Sequence, residues 1–194
     1  DFGLTSAPEL RIGSRLASPL LAGVLRPMLI LPDDVAQRFP EKDLRAIYAH
    51  ELSHYRQRDV AWGAGIYSVT SLLWFHPLAR RVMRSHERAC EEVSDWVSAS
   101  YLGDVEHYRR LLARLALRIK STGELNSRPI GGHAMAGASG IRKRLQQLDL
   151  TARRGPVRPA RWRALVLLAT VIVAGIGGVR LQAAGPKATS EASS

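Results

Sequence analysis

His50-Glu51-Leu52-Ser53-His54 has the form H-E-x-x-H and is flanked by Glu41 to Ala49 on one side and Tyr55-Arg56-Gln57-Arg58-Asp59 on the other. Leu44, Ile47 and Leu52 recur at helical spacing, so the stretch reads as an amphipathic helix with a polar end. On such a helix, residues at i and i+4 stand one above the other on one face. Both imidazoles then reach a single Zn²⁺, whose nitrogen ligands lie at about 2.0–2.1 Å. Glu51 between them is placed to act as general base toward a water on that ion. A solvated helix carrying two unconnected histidines is the bland alternative.

A catalytic zinc site needs a third protein ligand besides water. Pro77 suits the first turn of a helix that runs to about Leu102 and stops at Gly103. Glu87, Glu91 and Asp95 follow one another there at four-residue steps and share a face, while Glu92 points about 100° away. A ligand glutamate followed one turn later by a carboxylate that orients a ligating histidine fits Glu91 with Asp95. Glu87 with Glu91 is the weaker variant. A solvated acidic stripe beside Arg80, Arg81, Arg84 and Arg88 is a third reading.

The rest of the chain frames these two helices. Arg11 to Leu31 holds short apolar runs broken by Pro19, Gly23 and Pro27, which predicts two or three short strands. Pro27-Met28-Leu29-Ile30-Leu31-Pro32 is the clearest of them. Asp59 is expected to cap a helix over Val60 to Phe75, sixteen residues without formal charge. This helix is expected to be buried against the motif helix; a membrane-dipping helix is the other reading. Asp104 is expected to cap a further helix, Val105 to Lys120, with an apolar stripe of Leu111, Leu112, Leu115 and Ile119. Gly123 to Gly140 reads as loop and Ile141 to Leu150 as a short helix.

The 194 residues, 46% of them hydrophobic, suit one ordinary domain with an appendage and exclude wholesale disorder. A single cysteine, Cys90, rules out an internal disulfide and fits a reducing compartment. Asp1 to Arg11 shows no basic n-region or apolar h-region, so no signal peptide is expected there. The net charge of +11 favours an acidic partner surface. Arg153, Arg154, Arg158, Arg161 and Arg163 carry much of it, interrupted by Pro156 and Pro159, which reads as a linker and not as a DNA-reading helix. Ala164 to Val179 follows without a charge. Its length is about 24 Å as a helix, a little short of a ~30 Å hydrocarbon core, with Trp162 and a snorkelling Arg180 extending it. The predicted organisation is a metallopeptidase domain over 1–150, a basic juxtamembrane linker over 151–163, a transmembrane helix over 164–184 and a flexible tail over 185–194. The arginines on the N-terminal side place the domain in the cytoplasm beside anionic lipid. No recognisable DNA-binding motif is present, and no nucleic-acid partner is expected.

His50 to Asp59 resembles the HExxH helix of the zinc metallopeptidase domain in the BlaR/MecR antirepressor family, bacterial membrane sensor-transducers of β-lactam resistance and their relatives. Trp74-Phe75-His76-Pro77 is similar to that family's Trp-Phe-Asn-Pro, with His76 in place of the asparagine. Cys90-Glu91-Glu92-Val93-Ser94-Asp95 is similar to its Glu-x-x-x-Asp element, with Ser94 where a cysteine is common. Gly23 to Pro32 and Arg144-Leu145-Gln146-Gln147-Leu148 resemble two further elements of the family. The resemblance covers about residues 14 to 180. It implies His50, His54 and Glu91 as zinc ligands, Glu51 as the catalytic base, Asp95 as the carboxylate behind a ligand and Arg144 as a group at the oxyanion or substrate. His76 and His86 read as structural or surface residues; His107 and His133 have no partner identifiable in the sequence.

The expected fold is therefore α+β and mostly helical, a minimal gluzincin-like domain with a small sheet, followed by a transmembrane helix. The expected function is a zinc endopeptidase in the bacterial inner membrane that cleaves a cytoplasmic repressor or itself in a signalling pathway. The alternative is a membrane-anchored sensor or scaffold whose zinc site is structural or inactive.

Overall fold

A computed structural model describes residues 4, 6–14, 16, 19–122, 133–134 and 143–148. The chain order is β1 (Glu9–Gly13), β2 (Leu20–Ala22), β3 (Met28–Pro32), α1 (Val35–Arg38), α2 (Glu41–Gln57), α3 (Asp59–Leu72), α4 (Pro77–Leu102), α5 (Val105–Thr122) and β4 (His133–Ala134). Residues 143–148 are helical. The architecture is mostly helical with one small sheet, as expected.

The sheet order is β1-β3-β2-β4. β2 and β3 form an antiparallel hairpin that pairs Leu20 with Ile30 and Ala22 with Met28. Gly23 makes its turn possible: its φ is +90, and a Cβ there would lie 2.4 Å from the Arg26 carbonyl oxygen. β1 runs parallel to β3 from Glu9 opposite Met28 to Gly13 opposite Pro32. Alternation along β3 turns Leu29 and Leu31 inward, where they pack with Val35 against Phe39, Leu44 and Tyr48. The sheet is thereby laid on α2.

α2 is also covered by the other helices. Ala46 and Ile47 join Ala99 of α4, Tyr108, Leu111, Leu112 and Leu115 of α5, and Leu148 in the main core. The predicted stripe on α5 is this contact; the Ile119 side chain lies outside the described residues. Fully buried Asp43 ties α2 to α5: its carboxylate lies 2.6 Å from His107 Nε2 and accepts from Arg114 at 2.7 Å. A buried carboxylate is tolerated only with such partners. His107 thus has a partner 64 residues away, one the sequence did not disclose.

The local signals act as read. Pro77 opens α4, and Gly103 closes it at φ +64. The Asp104 carboxylate accepts from the His107 N–H at 2.9 Å and caps α5. His76 is structural, its Nδ1 accepting from the Leu78 N–H at 3.2 Å to cap α4.

α3 departs from expectation. Asp59 is its first residue and makes no cap; the preceding Arg58 stands in the left-handed region at φ 55, ψ 38. Only Asp59, Val60 and Ile66 of the helix are buried. The helix mixes apolar with small polar residues and lacks one committed face, so packing one side against its neighbours leaves Tyr67 and Leu72 in solvent. Among the described residues no helix is long and apolar enough to cross a membrane. The expected linker, transmembrane helix and tail, 151–194, lie outside the described residues, as does the expected loop 123–140 apart from β4.

Candidate metal centre

α2 and α4 build the centre between them. On α2 the one-turn spacing of His50 and His54 stacks their rings edge to face, centroids 4.8 Å apart, with both residues buried. Their Nε2 atoms face each other at 3.2 Å. α4 brings Glu91 to the same point, Oε2 at 3.6 Å from His50 Nε2 and Oε1 at 3.9 Å from His54 Nε2. One ligand atom from each of the three lies within 4.8 Å of the others. Glu87, one turn earlier on α4, is not in this group.

Each histidine is held from behind. His54 Nδ1 lies 2.9 Å from Asp59 Oδ2 and 3.2 Å from Ser94 Oγ. His50 Nδ1 lies 3.0 Å from the Tyr108 hydroxyl and 3.3 Å from Asp95 Oδ1. The Tyr108 hydroxyl in turn donates to Asp95 Oδ1 at 2.9 Å. Acceptors at both Nδ1 positions favour the tautomer that leaves the Nε2 lone pairs pointing inward. The left-handed Arg58 makes the Asp59 contact possible, because it reverses the chain between α2 and α3 and returns Asp59 to the motif helix.

Arg144 closes the carboxylate side. Its Nε and Nη2 donate to Asp95 at 2.9 and 2.6 Å, and Nη1 lies 2.8 Å from Glu91 Oε2. The buried guanidinium is therefore committed to two carboxylates of α4. This is the geometry the sequence could not supply for a residue suggested only by resemblance.

The electrostatics follow from burial and these contacts. Burial opposes the charged form of Glu91, but Arg144 and His50 outweigh it and hold the carboxyl down at about 2. Asp95 is held well below the usual carboxylate range in the same way. Burial would lower His50, yet Asp95 and Glu91 raise it to about 9. His54 moves the other way, lowered by burial against the pull of Asp59. One imidazolium is thus favoured at the facing nitrogen pair. Burial lifts Glu51 to about 8. Both Glu51 carboxylate oxygens are buried and make no hydrogen bond of good geometry with a described residue; the Leu21 backbone, a weak donor nearby, only partly opposes the rise.

These features fit a metal ion. Two facing lone pairs and a carboxylate form a nitrogen–nitrogen–oxygen donor set of the kind zinc takes, and a cation there would replace the shared proton. The buried oxygens of Glu51 would find a donor in a water at such an ion.

His50, Glu51, His54, Glu91, Asp95 and Arg144 were all singled out in the sequence, and the fold brings them together. Asp59, Ser94 and Tyr108 were not. Asp59 reads in sequence as the cap of the following helix, and its contact with His54, five residues earlier, carries no helical-face signal. Tyr108 lies 58 residues from His50 and carries no local signal. His86 is buried beside Cys90, its Nδ1 3.5 Å from the thiol sulfur.

Residues 1–148 match the family described as BlaR1 peptidase M56. The methicillin resistance mecR1 protein of Staphylococcus aureus is 26% identical over 96 residues, 50% of this chain and 16% of that protein. The same values hold for mecR1 of Staphylococcus epidermidis. The regulatory protein BlaR1 of Bacillus licheniformis is 32% identical over 63 residues, 32% of this chain and 10% of that protein. The chain thus aligns with a sixth or less of these relatives' length. No solved structure gives a significant match.

Proposed function

The chain belongs to the BlaR1 peptidase M56 family, and from that membership and the centre's geometry we propose that it is a membrane-anchored zinc endopeptidase of gluzincin type. The observation that carries this reading is the convergence of His50, His54 and Glu91 beside the buried carboxylate of Glu51, whose oxygens lack a well-formed hydrogen bond.

In this reading His50, His54 and Glu91 hold one Zn²⁺. Bound there, the ion would supply Lewis-acid polarisation of the scissile carbonyl and would acidify water at the site. Glu51 removes a proton from the attacking water and delivers it to the leaving amine. Asp95 with Tyr108 orients His50, and Asp59 orients His54. Arg144 keeps Glu91 and Asp95 ionised and in place. An extended peptide would pair its backbone with an edge of the small sheet.

The substrate is a cytoplasmic repressor or the chain itself, within a signalling pathway. The names of the resistance and regulatory relatives support that setting. Residues 164–184 span the inner membrane, and Arg153 to Arg163 keep the domain on the cytoplasmic side against anionic lipid. No nucleic-acid contact is part of this function.

Glu51→Gln tests the reading. The variant keeps one zinc per chain and loses peptide hydrolysis by about 10²–10⁴-fold, because an amide cannot accept the water's proton. Full activity in the zinc-loaded variant would remove Glu51 from the mechanism. Stoichiometric zinc in a wild-type chain that cleaves nothing would favour the sensor or scaffold reading.

A further inference from the structure

The turn from α3 into α4 has no part in the metal centre, yet it carries the most exposed apolar surface of any turn described. Leu72, Trp74 and Phe75 are 78, 72 and 67% exposed, and Leu78 follows at 51%. Trp74 and Phe75 stand edge to face, ring centroids 6.2 Å apart. Behind this tip, Arg80, Arg84 and Arg88 follow at one-turn steps along α4, with Arg81 beside them, all exposed. A cavity of about 620 Å³ runs between Trp74, Phe75 and these arginines. From Val60 to His86 the sequence contains no Asp or Glu. Among the described residues no carboxylate pairs with Arg80, Arg81 or Arg84.

We propose that this tip docks onto the headgroup layer of an anionic phospholipid bilayer, with Trp74, Phe75 and Leu72 seated at the acyl boundary and the arginine row on the lipid phosphates. The inference rests on the proposed membrane location and adds a second attachment, separate from residues 151–184. Apolar side chains at a projecting turn, aromatic rings among them and an uncompensated arginine row behind, are the arrangement of interfacial membrane elements. A solvated turn would have no use for two aromatic rings in water. A protein partner contacting all four arginines would need a matching acidic groove, whereas an anionic membrane offers the complementary charge over any area. The docking also has a consequence for catalysis. α4 runs from Pro77 at the tip to Glu91 at the centre, a rise of about 21 Å. A seated tip would hold the centre at a fixed height above the bilayer, selecting peptide bonds presented at that height.

The experiment uses the full chain in lipid nanodiscs, with Trp62, Trp96 and Trp162 replaced by Phe so that Trp74 alone emits. Zinc content of each variant verifies the fold. With anionic discs, Trp74 should be quenched by lipids brominated near the headgroup and shielded from an aqueous quencher; with neutral discs it should not. Arg80→Gln with Arg84→Gln should lower the docked-to-undocked ratio roughly 25-fold, at about fivefold per arginine. Equal aqueous quenching of Trp74 in anionic and neutral discs would overturn the proposal. So would equal shielding by inorganic phosphate alone, or shielding in neutral discs that grows with protein concentration, which would assign the patch to a free anion or to a protein. Failure of the chain to enter discs reports on residues 164–184, not on the tip, which is then read on the same chain with added anionic vesicles. Loss of peptidase activity leaves the readout unchanged.

Discussion

Replacing Asp59 by Asn separates the metal centre from an accidental cluster, because only the first needs a carboxylate behind His54. The two side chains are buried at 0 and 1% exposure and meet at 2.9 Å. Asn keeps the volume and an acceptor oxygen but removes the charge that makes the imidazole a better donor to a cation. Loss of a group that orients a ligating histidine typically costs 10–100-fold in metal affinity. That equals about 1.4–2.8 kcal/mol. At saturating zinc the ligand-linked stabilisation falls by the same amount. For a domain of this size, 1 kcal/mol moves Tm by about 2–4 °C, so the zinc-induced rise in Tm should shrink by about 3–11 °C. Competition titration with a chelating dye gives the affinity, and thermal unfolding with and without zinc gives the shift. An unchanged dissociation constant together with an unchanged zinc-induced rise would refute the argument and leave Asp59 as a fastener between α2 and α3.

Two further outcomes follow from the same contacts. Arg144→Gln leaves Glu91 and Asp95 facing each other without their cation, and breaking a buried ion pair from one side costs about 3–5 kcal/mol. The metal-free Tm should fall by roughly 6–20 °C and recover partly on adding zinc, itself a cation; an unchanged metal-free Tm would contradict the clamp. Arg58→Gly relieves a left-handed non-glycine residue whose side chain is exposed. That conformation costs roughly 1–2 kcal/mol, and glycine's greater freedom when unfolded takes back about 0.5–1. A Tm gain of up to about 6 °C in thermal unfolding is expected, and a loss would show that the arginine side chain holds the bend.

Much of this centre could be read in the sequence because its chemistry is local. The one-turn spacing within His50 to His54 and from Glu91 to Asp95 sets a shared face wherever the helix is placed. Pro77, Gly103 and Asp104 bound their helices through backbone constraints of a few residues. The rest depends on distant pairing. Tyr108 reaches His50 only because the stripe of Leu111, Leu112 and Leu115 lays α5 on α2. Asp59 looked like a cap until the left-handed Arg58 turned it back toward His54. α3 reads as buried in sequence but is half exposed, because an uncharged run whose apolar and small polar residues share no one face records no direction. The parallel pairing of β1 with β3 skips over β2, and strand alternation alone does not encode that choice.

Metal analysis of the purified chain and two glutamate variants tests the central claim most directly. Wild type should bind one zinc per chain, Glu87→Ala should also bind one, and Glu91→Ala should lose it, as should His50→Ala and His54→Ala. Zinc retained in Glu91→Ala and lost in Glu87→Ala would contradict the ligand set, and a wild-type chain that binds no zinc at all would contradict the centre itself.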